Sequence, residues 1–172
     1  MRALRIALAI VAALVLQTTL SPVLGHVGIE VDLGLVVVVF VGLMTGPPTG
    51  LLTGSATGLA QDALGSGIVG VSGLSKTLVG FLAGVLGTAF IVARPVPRFV
   101  VFFGASLVDA GIFVGLHAIF DARVAPPAYA AILVRAIASA TVGVTAFQLM
   151  ESWPRFVERR RMAKSKVRTG RG

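Results

Sequence analysis

Ionisable side chains are scarce in this chain, and those that fall within or beside its long apolar runs bound the chemistry it can do. Asp62, Lys76, Asp109, His117 and Arg135 are the candidates among them for intramembrane pairing or proton transfer. An unpaired charge in a lipid interior costs several kcal/mol, so such groups either pair or line an ion or proton path. Asp62 and Lys76 flank the stretch Gly65-Ser-Gly-Ile-Val-Gly-Val-Ser-Gly73 at similar expected depth, which predicts an ion pair between them. Asp109 and Arg135 form a second expected pair, since their depths on neighbouring helices differ by roughly 5 Å, within reach of a long Arg side chain. Asp109 and His117 lie two turns apart on one helical face, and two members make a weak proton relay.

Other chemistries are excluded more simply. The absence of Cys removes disulfides, thiolate metal sites and a thiol nucleophile. His26 and His117, the two histidines, leave little for a metal centre. No Walker loop, no hydrolase-like carboxylate pair and no Ser-His-Asp set that topology would assemble is present. The expectation is a chain that is not an enzyme and holds no cofactor or metal.

The elements that must position these charges follow from composition. Of 172 residues, 56% are hydrophobic and 13% charged, and the mean hydropathy is +0.95, far from the balance of a soluble globular domain. The net charge of +8 is not a nucleic-acid signal once it is located. Residues 155–172 carry eight Lys or Arg, among them Arg155, Arg159, Arg160, Arg161, Lys164, Lys166 and Arg168, against one Glu, leaving the other residues nearly neutral. A polybasic tail beside a membrane span is a topology and anionic-lipid contact device. Residues 1–153 therefore read as one transmembrane helical domain and 154–172 as a cytoplasmic tail.

A bilayer core about 30 Å thick needs roughly 20 apolar helical residues. Ala3–Leu20, Leu74–Ala93, Phe99–Phe120 and Ala128–Met150 meet that length. The first has no small-x-small cleavage site after it, so it reads as a retained helix. Between Leu33 and Ala60 a Pro pair within Thr45-Gly-Pro-Pro-Thr-Gly50 breaks the helix, which predicts two short helices returning as a hairpin. The fold class is thus an all-α polytopic membrane bundle of about six transmembrane helices with short loops. With both termini cytoplasmic, twelve of fifteen basic residues fall on the inner side, including Arg2, Arg5, Arg94 and Arg98. Glu30, Asp32, Asp121 and Arg123 fall in the outward connections, and Tyr129 and Trp153 at the two ends of the last helix.

Small residues form ridges along these helices. Gly46, Gly50, Gly54 and Gly58 recur every four residues, and further pairs are Gly80 with Gly84, Gly111 with Gly115, and Ala9 with Ala13. Such strips let helices approach closely in lipid, either inside one chain or between chains.

The stretch Gly58-Leu-Ala-Gln-Asp62-Ala-Leu-Gly-Ser-Gly67-Ile-Val-Gly70, followed by Gly-Leu-Ser-Lys76-Thr-Leu-Val-Gly80-Phe-Leu-Ala-Gly84, resembles the central signature of the bacterial rod shape-determining MreD family. Length, span pattern and Gln17-Thr-Thr-Leu-Ser-Pro22 at the end of the first helix are also similar to that family. The resemblance covers most of the chain, with its specific part between Gly58 and Gly84. It implies a scaffolding or regulatory subunit of the inner membrane, working in cell elongation and peptidoglycan synthesis with MreC, the MreB filament, RodA and a class B penicillin-binding protein. A homo-oligomer is compatible with it. The family is also similar in architecture to substrate-binding subunits of energy-coupling-factor vitamin transporters, whose first helix docks on a partner through small residues, a part that Ala3, Ala7, Ala9 and Ala13 would play. The alternative function is therefore a small-molecule binding subunit of a transporter, for which Asp62, Ser66, Ser72, Ser75 and Lys76 supply few aromatic partners.

Overall fold

The computed structural model describes residues 2–25, 31–65, 69–89, 95–120, 129–130 and 132–149. All regular structure among them is helical: α1 (Arg2–Gly25), α2 (Leu33–Thr45), α3 (Pro47–Leu64), α4 (Val71–Ala89), α5 (Pro95–Phe120) and α6 (Ile132–Leu149). Four of them, α1, α4, α5 and α6, are long and apolar enough to cross a membrane. The basic tail, Trp153, Arg94, Asp121 and Arg123 lie outside the described residues.

The break between α2 and α3 has a local cause. Pro47 and Pro48 occupy the first positions of α3, where a missing N–H costs nothing, and neither could continue α2. Gly46 alone makes the turn, at φ 93° and ψ 178°, a backbone conformation that strains any residue with a side chain. Its N–H donates to the Gly42 carbonyl and its carbonyl accepts from Gly50 N–H. The two helices fold back on each other, so that Gly34 meets Thr57 and Gln61 near the open ends and Gly42 meets Gly50 near the turn. The hairpin expected between Leu33 and Ala60 is formed.

At about 1.5 Å per residue, the 13 residues of α2 span roughly 20 Å, short of a bilayer core. Instead of facing lipid, α2 is the centre of the bundle, packed against α1, α3, α4 and α5 and against α6 through Phe40 and Phe147, whose rings meet edge to face. Its near-continuous apolar sequence fits burial all round, and Val38 and Val39 are fully enclosed. Leu35, Val36 and Val39 join Val79, Ala83, Phe102, Ala140 and Phe147 in one core cluster.

The tightest interface lies between α3 and α4. They run antiparallel with their small residues in step: Gly50 lies on Gly80, Gly54 on the Lys76 carbonyl and Gly58 on Ser72 and Gly73, while Gly84 meets Pro47. The ridge of Gly50, Gly54, Gly58, Gly80 and Gly84 is thereby used inside the chain. Ala13 is buried and Ala9 half-buried, so that part of the small face of α1 turns inward, while Ala3, Leu4, Ala7, Leu8, Val11 and Val15 are exposed. This corrects the expectation that Ala9 and Ala13 present an exposed docking face; α1 needs its small face to settle against the bundle. On α5 the opposite holds, because a Cβ at Gly104, Gly111 or Gly115 would meet no described atom within 4 Å.

Helix direction alternates along the chain. Gln17, late in α1, meets Gly34 at the start of α2, Ser75 early in α4 meets Asp109 late in α5, and Ser139 early in α6 meets Asp32. The start of α1 and the end of α6 accordingly lie at one end of the bundle. At the opposite end converge the C-terminal parts of α1, α3 and α5 and the N-terminal parts of α2, α4 and α6.

Candidate functional site

That opposite end holds the charges. Asp32, the N-cap of α2, accepts at Oδ1 from Leu35 N–H (2.9 Å) and Gln61 Nε2 (3.0 Å). Its Oδ2 takes Lys76 Nζ at 2.8 Å and Arg135 Nη2 at 2.9 Å. Four donors saturate one carboxylate that is only 1% exposed, and the Asp32 N–H adds a bond to Ser139 Oγ (3.2 Å). Lys76 Nζ reaches a second acid, Asp109 Oδ2, at 3.5 Å. Ser75, next to Lys76 on α4, donates its hydroxyl to Asp109 Oδ1.

The expected pairings are corrected by these contacts. Lys76 goes to Asp32 and Asp109 and not to Asp62. Asp62 serves a different purpose: its Oδ2 accepts from Gly70 N–H (2.7 Å) and Gly73 N–H (3.2 Å), capping the start of α4 from the end of α3. A carboxylate there satisfies orphan N–H groups and meets the positive end of the α4 dipole, which removes its need for a cation. Because Asp62 caps it, α4 starts at Val71, earlier than the Leu74 expected from hydropathy. Arg135 makes its described ion pair with Asp32, and Asp109 makes its own with Lys76. Arg98, expected in a loop, is buried in the first turn of α5 with its guanidinium 3.8 Å from the centre of the Phe147 ring. Of His117, only its place in α5 is described.

Three polar residues join the network without having been singled out. Gln17 Oε1 accepts from Gly34 N–H (3.2 Å) and from Gln61 Nε2 (3.1 Å), tying α1 and α3 to the start of α2. Ser139 attaches α6. The signal for Asp32 was present, since an Asp directly before an apolar run is an N-cap pattern. For the amides, the signal was two Gln inside otherwise apolar helices.

Gln17, Asp32, Gln61, Lys76, Asp109 and Arg135, together with the apolar Leu64, Phe113, Val114 and Ile132, line a cavity of about 520 Å³. Among its described lining residues two carboxylates and two cations balance. Gln17 Nε2 and Gln61 Oε1 have no hydrogen-bond partner among the described residues. Arg135 retains partial exposure, 35% of its side chain. The arrangement holds a charge network with a few hydrogen-bonding groups on its surface. Among the described residues no group of three His, Asp or Glu side chains is placed to hold a metal ion.

Comparison with protein-family models, with curated proteins and with solved structures gave no match to this chain.

Proposed function

We propose that this chain is a non-catalytic subunit of the bacterial cytoplasmic membrane that acts by helix contacts with other membrane proteins of cell elongation and peptidoglycan synthesis, as the MreD resemblance between Gly58 and Gly84 implies. The observation that carries the contact mode is the unequal burial of the long helices. Only 17% of the spanning stretches of α1 and α5 is buried, against 44% for α4. On α5, Gly104, Gly111 and Gly115 fall within about 40° of one another around the axis, forming a smooth strip that no described residue covers. In lipid, where apolar burial gives helices no reason to associate, such strips are where a second helix packs closely.

MreC is the first partner to try, with RodA, a class B penicillin-binding protein and the MreB filament next. Both termini lie on the cytoplasmic side in this reading, with the basic tail on the anionic leaflet, and the charge network faces the outer surface. Gly111→Leu with Gly115→Leu should weaken co-purification of MreC from native membranes while the chain stays folded and inserted. Full retention of every partner would sink the contact mode. A second reading, a small-molecule binding subunit, is favoured by the cavity beside Gln17, Gln61 and Phe113; tight binding of a vitamin to the purified chain would establish it in place of the first.

A further inference from the structure

The charge network lies deeper than a membrane surface. α2 covers only about 20 Å of a bilayer core about 30 Å thick, so with the Gly46 turn at one face of the core, Asp32 falls about 10 Å short of the other. Two more helices give the same depth. Gln17 lies 12 positions after Arg5, and Asp109 lies 11 after Arg98, about 18 Å and 17 Å along their axes, with both arginines toward the Gly46 end. The polar side chains thus form a floor, recessed by roughly 10 Å. Leu64 and Gly65 at the end of α3, Ser72 in the first turn of α4 and Ile132 at the start of α6 line the cavity above that floor. It therefore opens toward the end of the bundle away from Arg5.

We propose that this cavity is a water-filled recess in the bilayer, entered by small water-soluble molecules and not by lipid tails or a partner helix. Its polar atoms select the occupant. Gln17 Nε2 and Gln61 Oε1 have no hydrogen-bond partner among the described residues, and hydrocarbon would leave both without one. The Arg135 side chain, 35% exposed, adds a charged surface that lipid tails or an apolar helix would have to desolvate. Space is ample, since about 520 Å³ far exceeds the roughly 30 Å³ that one water takes up. Water needs two to four polar partners, and the floor of the recess offers them. The inference deepens the small-molecule reading by naming the class of molecule that can reach this site, and the recess holds water whether or not a vitamin binds.

The test uses the absence of native Cys, which lets single thiols report water. Ala110 lines the cavity. Gly111 shares its depth but lies about 100° around the α5 axis, where a Cβ meets no described atom within 4 Å. Sealed membrane vesicles of each orientation, holding the full chain with Ala110→Cys or Gly111→Cys, are treated with a cationic and, separately, an anionic methanethiosulfonate. Neither reagent crosses lipid, and both are attacked by thiolate, which forms in water and not in apolar surroundings. Ala110→Cys should react at least about tenfold faster than Gly111→Cys, from one side of the membrane only. Val114→Cys, one turn further along the same wall, serves if Ala110→Cys folds poorly. Cavity thiols as unreactive as Gly111→Cys toward both reagents, from both sides, overturn the proposal. So does a Gly111→Cys as reactive as Ala110→Cys, since water is then not confined to the cavity. Reaction from the cytoplasmic side alone supports the recess and refutes the topology in which the network faces outward, so the two failures are told apart.

Discussion

Gly54 offers the sharpest test of how α3 and α4 are held together. A Cβ built on Gly54 lies 2.9 Å from Thr77 Cα and closer still to the Lys76 carbonyl, so what it meets is backbone that cannot rotate away. Gly54→Ala must therefore part the two helices. A radial gap of about 0.5–1 Å already forfeits a quarter to a half of each dispersion contact, and between lipid-embedded helices dispersion is most of what there is to lose. Overpacking costs about 1–3 kcal/mol, and the rigid neighbours put Gly54 at the upper end. Ala regains about 1 kcal/mol of helix propensity over Gly, leaving a net loss of about 2 kcal/mol, or roughly thirtyfold in the unfolding equilibrium. Gly111→Ala provides the control, because its Cβ meets nothing among the described residues; the same propensity gain should make it neutral or stabilising. Unfolding by sodium dodecyl sulfate titrated into mild-detergent micelles, followed by circular dichroism, measures both. Indistinguishable midpoints for Gly54→Ala and Gly111→Ala would refute the reasoning.

Three further outcomes are expected in the same assay. Asp32→Ala should destabilise by about 3–5 kcal/mol, the usual cost of removing one partner from a buried ion pair, and adding Lys76→Met should recover part of that loss. Asp62→Ala should cost about 1 kcal/mol, as the loss of a helix cap does, whereas Asp62→Asn keeps an acceptor oxygen and should cost less; the effects of Asp62→Ala and Lys76→Ala should add within about 0.5 kcal/mol. Thr57 is fully buried with its hydroxyl unpartnered among the described residues, so Thr57→Val should stabilise by about 1 kcal/mol.

Hydropathy and glycine spacing were enough to read the helices, the hairpin and the small-residue ridges, because both signals are local and repeat along the chain, but not that the ridge of α3 meets α4. The charge partners were harder. Pairing Asp62 with Lys76 assumes that charges flanking one connection find each other, but the helix start between them supplies N–H donors that satisfy Asp62 first. Asp32 looked like a loop residue facing water, since nothing in the spacing reveals that five other helices close around the start of α2. Its partners Lys76 and Arg135 lie 44 and 103 positions away, distances at which a single sequence carries no pairing signal. The inward turn of Ala9 and Ala13 was equally hidden, because a small face suits an internal neighbour and an external one alike.

The charge network answers a problem that the glycine ridge creates. Small residues every four positions make α3 smooth, and a smooth strip is degenerate in register: sliding α4 by four residues, about 6 Å, sets small residues on small residues again. The connection 65–70 does not forbid this, since six residues can reach about 20 Å. What opposes it, besides the Asp62 bonds to Gly70 and Gly73, is Lys76, which such a slide would carry about 6 Å from Asp32 and Asp109, leaving buried charges that cost several kcal/mol in lipid. The charges therefore select one register among several that packing alone would accept. Because the chain contains no Cys, introduced thiols can report that register. Ser55 Oγ and Thr77 Oγ1 are 2.8 Å apart across the α3–α4 interface, so Ser55→Cys with Thr77→Cys should cross-link on oxidation, and Ser55→Cys with Gly73→Cys or with Phe81→Cys should not. In a background carrying Asp32→Asn, Lys76→Met and Asp109→Asn, at least one shifted pair should begin to cross-link while circular dichroism shows the helices retained. Cross-linking confined to the Ser55 and Thr77 positions in that background would mean that packing and the Asp62 cap of α4 set the register and that the Asp32, Lys76 and Asp109 charges are kept for another purpose.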